Sequence, residues 1–300
     1  MLNQRVMIET FLTTGAVLLR ILSNPFGNVF QKQLTKYNHP LLINFLTYLL
    51  LSGFCIIFVT NVQWQELTQQ FWIYSILGGI AGALGNGFLV KALQNGDLSI
   101  LGPINSYKSV IGLVVAIFLL REIPNLWGVF GIALIVYGSY FVLDTTPEKF
   151  SMALLKKSEI QYRIWAMILS AIEAVFIKKI ILVSSVTLAF VSWCWFGALF
   201  SFILLFIYRL DLKKEIRKVD QTNISKYVLL IVCVGTMQLT TNYTFDHMPV
   251  GYALSLFQLS TIVSVLLGHR LFKEKDIRKK LIGTAIMIAG SVIIILFKDH

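Results

Sequence analysis

Ten apolar spans separated by short polar loops leave this chain few folds to choose from. They run approximately over residues 8–30, 40–60, 71–93, 98–120 and 125–143, then 162–184, 186–208, 227–247, 250–271 and 279–297. Each is close to the ~20 residues that a helix needs to cross a ~30 Å hydrocarbon core. Inside a bilayer every backbone N–H and C=O must be bonded by protein, which leaves helices and closed barrels. The spans do not alternate polar and apolar residues, so a barrel is not supported. Only 14% of the 300 residues are charged, against roughly 25% in soluble domains. The sequence therefore predicts an all-α integral membrane protein of ten transmembrane helices, seated in the lipid bilayer. No polar segment is long enough for a separate soluble domain. The opening MLNQRVMIETF has no small-residue cleavage signature behind it and reads as a retained first helix.

The polar segment 144–161 divides the chain almost in half, and the halves resemble each other. Arg121-Glu122 is followed by Gly131, Ala133, Gly138 and Ser139. Lys273-Glu274 is followed at a constant offset of 152 by Gly283, Ala285, Gly290 and Ser291. A second echo pairs Val29, Phe30 and Lys32 with Val175, Phe176 and Lys178. Residues 1–147 and 160–300 thus read as two five-helix repeats. Five is odd, so the second repeat must insert upside down relative to the first. Inverted repeats of this kind mark many secondary transporters, with the binding site where the repeats meet near the bilayer midplane.

A net charge of +11 could suggest nucleic acid. The basic residues, however, sit in short loops between apolar spans, the pattern that sets membrane orientation, so no nucleic-acid partner is expected. Loops after odd-numbered spans carry nineteen Lys and Arg, Arg163 among them; the other side carries five. By the positive-inside rule both termini lie outside. Cys55, Cys194 and Cys233 form no metal spacing and read as packing residues, and the four histidines are scattered. No metal or cofactor is expected. The run Gly78, Gly79, Gly82, Gly85, Gly87 lies inside a span and lacks a P-loop lysine, so it reads as close helix packing.

Three ionisable residues fall in the middle of spans: Arg20, Lys108 and Glu173. A cation at that depth costs about 2.5–3.5 kcal/mol on insertion scales. One reading makes them a site, with Arg20 and Lys108 holding an anionic group and Glu173 holding a cationic group or a coupling proton. The other makes Lys108 and Glu173 a buried ion pair that only locks helices, with Arg20 reaching toward the interface on its long stem. Polar groups fall at similar depths: Asn24 and Asn28 around Pro25, Asn86 and Gln94, then Asn105, Ser106 and Tyr107. The second half adds Trp193, Trp195, Gln238, Thr241, Asn242, Tyr243, Gln258 and Thr261. Singly these serve interhelical hydrogen bonding, about 0.6 kcal/mol each. As a set they suit a polar substrate, which needs several convergent partners in an apolar pocket. Glu122 and Glu274, each at a helix end beside a cation, read as surface or hinge contacts.

The 5+5 layout, with a glutamate closing the fourth span of each half before a glycine-rich fifth, resembles the EamA-like ten-helix branch of the drug/metabolite transporter superfamily. The resemblance covers nearly the whole chain. It implies a central cavity lined by the first four helices of each half, with the fifth and tenth peripheral. It also implies cytoplasmic termini, where the charge count here says outside. Family members move amino acids, nucleobase-like compounds, sugar nucleotides, phosphates and drugs, so membership does not name a substrate. The resulting expectation is a multi-pass transporter of a small anionic or zwitterionic, amino-acid-like metabolite. It works by alternating access in a prokaryotic plasma membrane, as a monomer or homodimer and not as an enzyme. It is driven by exchange or by a coupling proton or cation. The alternatives are an exporter of drug-like compounds and a non-transporting scaffold or sensor.

Overall fold

A computed structural model describes residues 2–60, 62–108, 110–111, 125–146, 152–219 and 221–297. Thirteen α-helices and no strand occur among them. In the first half these are α1 (Leu2–Leu34), α2 (Pro40–Cys55), α3 (Gln69–Asn95), α4 (Leu98–Ile104) and α5 (Leu126–Leu143). A short α6 (Met152–Leu155) leads into α7 (Ser158–Val183) and α8 (Val186–Ile207), and α9 (Leu212–Ile216) into α10 (Gln221–His247). The chain ends in α11 (Val250–Phe257), α12 (Ser260–Phe272) and α13 (Ile277–Leu296). The start signals are local. Asn125 Oδ1 accepts from Gly128 N at 2.8 Å to open α5, and Ser185 Oγ from Leu188 N at 3.1 Å to open α8. Pro40 stands in the first turn of α2, where its missing N–H costs nothing.

Five helices are long and apolar enough to cross a membrane by themselves, α2, α3, α5, α8 and α10 among the described residues. Their outer faces remain apolar and uncovered by protein, with Phe11 at 76% and Leu182 at 71% exposure on neighbouring helices. In water such a surface would aggregate; in lipid it is the solvent-facing one. The helices with more polar faces, α1 and α7, pair with α10 and α3 respectively. These two pairings are the same pairing in the two repeats, and α2 with α8, α4 with α12 and α5 with α13 lie across the repeat axis.

The crossing of α5 and α13 shows the inversion residue by residue. A Cβ on Gly131 would come within 2.7 Å of the Gly290 carbonyl oxygen, and one on Gly138 within 2.6 Å of the Gly283 oxygen. Each motif glycine therefore meets the opposite glycine of the other motif, as antiparallel copies must. Backbone cannot yield to a side chain here, so only glycine permits the contact. The glycine run of α3 packs the same way. Gly79 lies against Phe196 of α8, and Gly85 against Leu169 of α7.

The spans expected at 98–120 and 250–271 are not continuous helices where they are described. The first turns at Asn105-Ser106 and resumes at Tyr107; the second turns at Gln258-Leu259 between α11 and α12. Pro103 contributes no N–H, and Asn105 N bonds Gly102 O at 3.0 Å in a tight i−3 turn. Residues 112–124, with Arg121-Glu122, lie outside the described residues. Glu274 is not a surface contact. It is 7% exposed, and its carboxylate accepts from Leu98 N and Ser99 N at 2.9 Å each, and from Ser99 Oγ. It thereby satisfies the free donors at the start of α4 from the far end of α12. Lys32 on α1 reaches Glu274 at 3.5 Å and donates to Gly96 O at 2.6 Å.

Candidate functional site

The carbonyl freed by the turn in the fourth span finds an unexpected partner. Arg163 Nε on α7 donates to Leu101 O at 2.7 Å, and its Nη2 to Asn105 Oδ1 at 3.1 Å. The sequence reading placed Arg163 among the loop cations. It is instead 8% exposed, inside the bundle, because a helix turn that has lost its own donors offers a guanidinium better acceptors than the loop does. Asn105 in turn reaches the other broken helix. Its Nδ2 lies 3.5 Å from Gln258 Oε1, and Gln258 Nε2 lies 3.4 Å from Asn105 O. The two discontinuities thus meet each other.

Beside them lies a cavity of ≈ 140 Å³. Ten of the polar residues singled out from sequence line it: Arg20, Asn24, Asn28, Asn86, Asn105, Lys108, Glu173, Trp193, Gln238 and Thr241. Thr241 accepts from Arg20 Nε at 2.8 Å, while the Arg20 guanidinium sits 4.8 Å over the Phe257 ring. Arg20 therefore points inward and does not snorkel. Among the described residues no salt bridge joins Lys108 or Arg20 to Glu173. The Glu173 carboxylate instead accepts from Trp193 Nε1 at 2.6 Å.

The remaining sequence candidates stand elsewhere. Tyr107 turns toward α5 and donates to Ser139 Oγ at 2.7 Å. Gln258 is buried at the break, and the Asn242 amide hydrogen-bonds with Gln238 at 2.8 Å. Tyr243 stacks on His247 and faces an apolar groove between α1, α8 and α10. Trp195 stacks on Trp64, and Gln94 is exposed. Besides Arg163, the cavity holds Gln31 and Tyr48, which sequence reasoning did not select. Gln31 Nε2 donates to Asn86 Oδ1 at 3.2 Å, and Asn86 Nδ2 to Asn44 Oδ1 at 2.5 Å, so a chain of amides runs from α1 through α3 to α2.

Three cations and one carboxylate thus face one small cavity. Three polar atoms of its lining residues are buried without a partner among the described residues, Arg20 Nη1, Gln31 Oε1 and Tyr48 Oη. A buried donor or acceptor left unbonded costs about 1–3 kcal/mol. A wall that carries this cost is suited to a ligand that relieves it.

An all-helical bundle of two inverted repeats, with broken helices meeting beside a polar cavity, defines a multi-pass membrane protein of transporter type. The sequence matches the EamA-like transporter family twice, over residues 15–144 and 158–296. The chain belongs to that family, and with it to the drug/metabolite transporter superfamily. A crystal structure of a protein 15% identical in sequence has the same fold. The TM-score is 0.67, over 95% of this chain and 97% of the other. No curated protein matches the sequence.

Proposed function

We propose that this chain is a secondary transporter that moves a small anionic or zwitterionic, amino-acid-like metabolite by alternating access. The observation that carries the reading is the cavity where the two broken helices meet, lined by Arg20, Lys108 and Arg163 against the single carboxylate of Glu173. Their formal excess of positive charge suits an anionic group. Arg163 is committed to Leu101 and Asn105, whereas Arg20 keeps one unbonded Nη and Lys108 makes no salt bridge among the described residues. Arg20 and Lys108 are then the residues that receive the anion. Broken helices suit this role, since the turn can rock without unwinding a continuous backbone ladder. The excess of basic residues in the odd-numbered loops supports termini on the outer face of a plasma membrane, and the chemistry of exchange or ion coupling supplies the energy.

The test is a thermal-shift screen of purified protein against carboxylates, amino acids and phosphate esters, repeated on Lys108→Ala. A ligand at 100 times its Kd raises stability by about 2.7 kcal/mol. At least one class should stabilise the wild type and fail to stabilise the variant. A ligand that stabilises both equally contradicts the role given to Lys108.

A further inference from the structure

We infer that Glu173, Tyr48 and Trp193 form a primary-ammonium subsite at the wall of the central cavity. This rests on the reading of the cavity as a metabolite site and specifies its cationic pole. The Glu173 carboxylate uses Oε1 to accept from Trp193 Nε1 at 2.6 Å, which fixes the group without neutralising it. Among the described residues no Lys or Arg lies within salt-bridge distance of it, although three cations face the same cavity. Tyr48 is 1% exposed, and its hydroxyl is buried with no partner. The two groups converge: a Cβ on Gly82 would stand 2.3 Å from Glu173 Oε1 and 3.3 Å from Tyr48 Oη. The Tyr48 ring is held there, with Gly197 against its edge and the Trp193 ring centroid 4.7 Å from its own.

A carboxylate and an unbonded phenol oxygen that converge are what a primary ammonium needs. Its three N–H donors take the carboxylate and the phenol oxygen. The cations of the cavity would repel the same group, so the ligand is oriented with its ammonium toward α2 and α8 and its anionic group toward Arg20 and Lys108. Removing the amino group from the ligand leaves Tyr48 unbonded and Glu173 uncompensated.

The experiment compares amino acids with their 2-hydroxy acids on the purified full chain, using alanine with lactate and phenylalanine with phenyllactate. Binding is measured by calorimetry to the wild type, Glu173→Gln, Tyr48→Phe and Lys108→Ala. The wild type should prefer at least one amino acid over its hydroxy acid by roughly ten- to a hundredfold, the worth of a charge-assisted hydrogen bond. Glu173→Gln should reduce that preference to within about threefold, and Tyr48→Phe should reduce it in part. Tyr48→Phe keeps the ring and the packing, so it decides the matter if Glu173→Gln does not fold. Hydroxy acids that bind as well as amino acids, with binding lost in Lys108→Ala, overturn the ammonium subsite and leave the anion site standing. A preference that survives both Glu173→Gln and Tyr48→Phe also overturns it. No binding by either member of either pair overturns the subsite as well.

Discussion

Arg163 joins a charge to a backbone defect. Its two hydrogen bonds, to Leu101 O and Asn105 Oδ1, hold the turn from which Lys108 N follows by a bond to Asn105 O at 3.0 Å. A lysine at this position keeps the charge but has no planar fork to reach both acceptors. Arg163→Lys should therefore lose about 1.5–3 kcal/mol, the worth of one hydrogen bond to a charged group. Thermal unfolding in detergent measures the loss, and an unchanged midpoint would contradict the bracing role. Lys108, Glu173 and Arg20 were legible from sequence because a charge deep in an apolar span has no inexpensive explanation. Arg163 was not. It lies at the edge of its span, where a basic residue is what orientation alone would place. Tyr48 was hidden for a different reason, since one tyrosine among eleven carries no signal until its hydroxyl is seen to lack a partner.

Helices and their ends show a second kind of constraint. The start of α4 depends on Glu274, which takes two backbone donors and the Ser99 hydroxyl, with Lys32 beside it and Lys280 donating to Ser99 Oγ at 2.8 Å. Glu274→Gln should cost about 1.5–3 kcal/mol by weakening several charge-assisted bonds at once, read as a lowered unfolding temperature. The α5–α13 crossing predicts a different signature. Gly138→Leu pushes a side chain into the Gly283 carbonyl and should cost about 1–3 kcal/mol. Adding Gly283→Leu should then cost less than it does alone, because the helices have already separated. Full additivity in thermal unfolding would contradict the contact. Between the spans, Glu215 on α9 accepts from His39 N at 3.2 Å and from Lys218. Partial burial favours its protonated form, but the bonds from Lys218 and His39 outweigh this and hold its pKa below the ordinary carboxylate value. A depressed folded pKa gives stability that is present above the unfolded value and lost as pH falls through the folded one. Glu215→Gln should lose stability at neutral pH and little at acid pH, a difference that unfolding curves at the two pH values would reveal. Of these features, the break in the fourth span was not read from sequence, although Gly102-Pro103 stands just before its turn. The ninth span has neither residue at its turn, and Gln258 alone could not be told from an interhelical amide.

The frame of the whole molecule is nearly twofold, and its charges are not. At the repeat offsets, Lys108 corresponds to Ser260, Glu173 to Gly27 and Arg20 to Ala166. Gly27 and Ala166 both line the cavity. One half supplies a charged group where the other supplies space for it. A nearly symmetric scaffold thus carries an asymmetric set of charges around its cavity. Ten spans and the repeat were legible because apolar length and a constant offset survive in sequence. The entry of Arg163 into the cavity beside Arg20, Lys108 and Glu173 was not, since it depends on which helix faces close on each other. Counterflow tests this directly. Proteoliposomes preloaded with an unlabelled ligand found by the binding screen are given a trace of the same ligand with a label. Wild-type protein should accumulate label transiently above its outside concentration, and Lys108→Ala, folded and reconstituted to the same level, should not. Binding of the ligand with no exchange by the wild type, or equal counterflow by Lys108→Ala, would contradict the account.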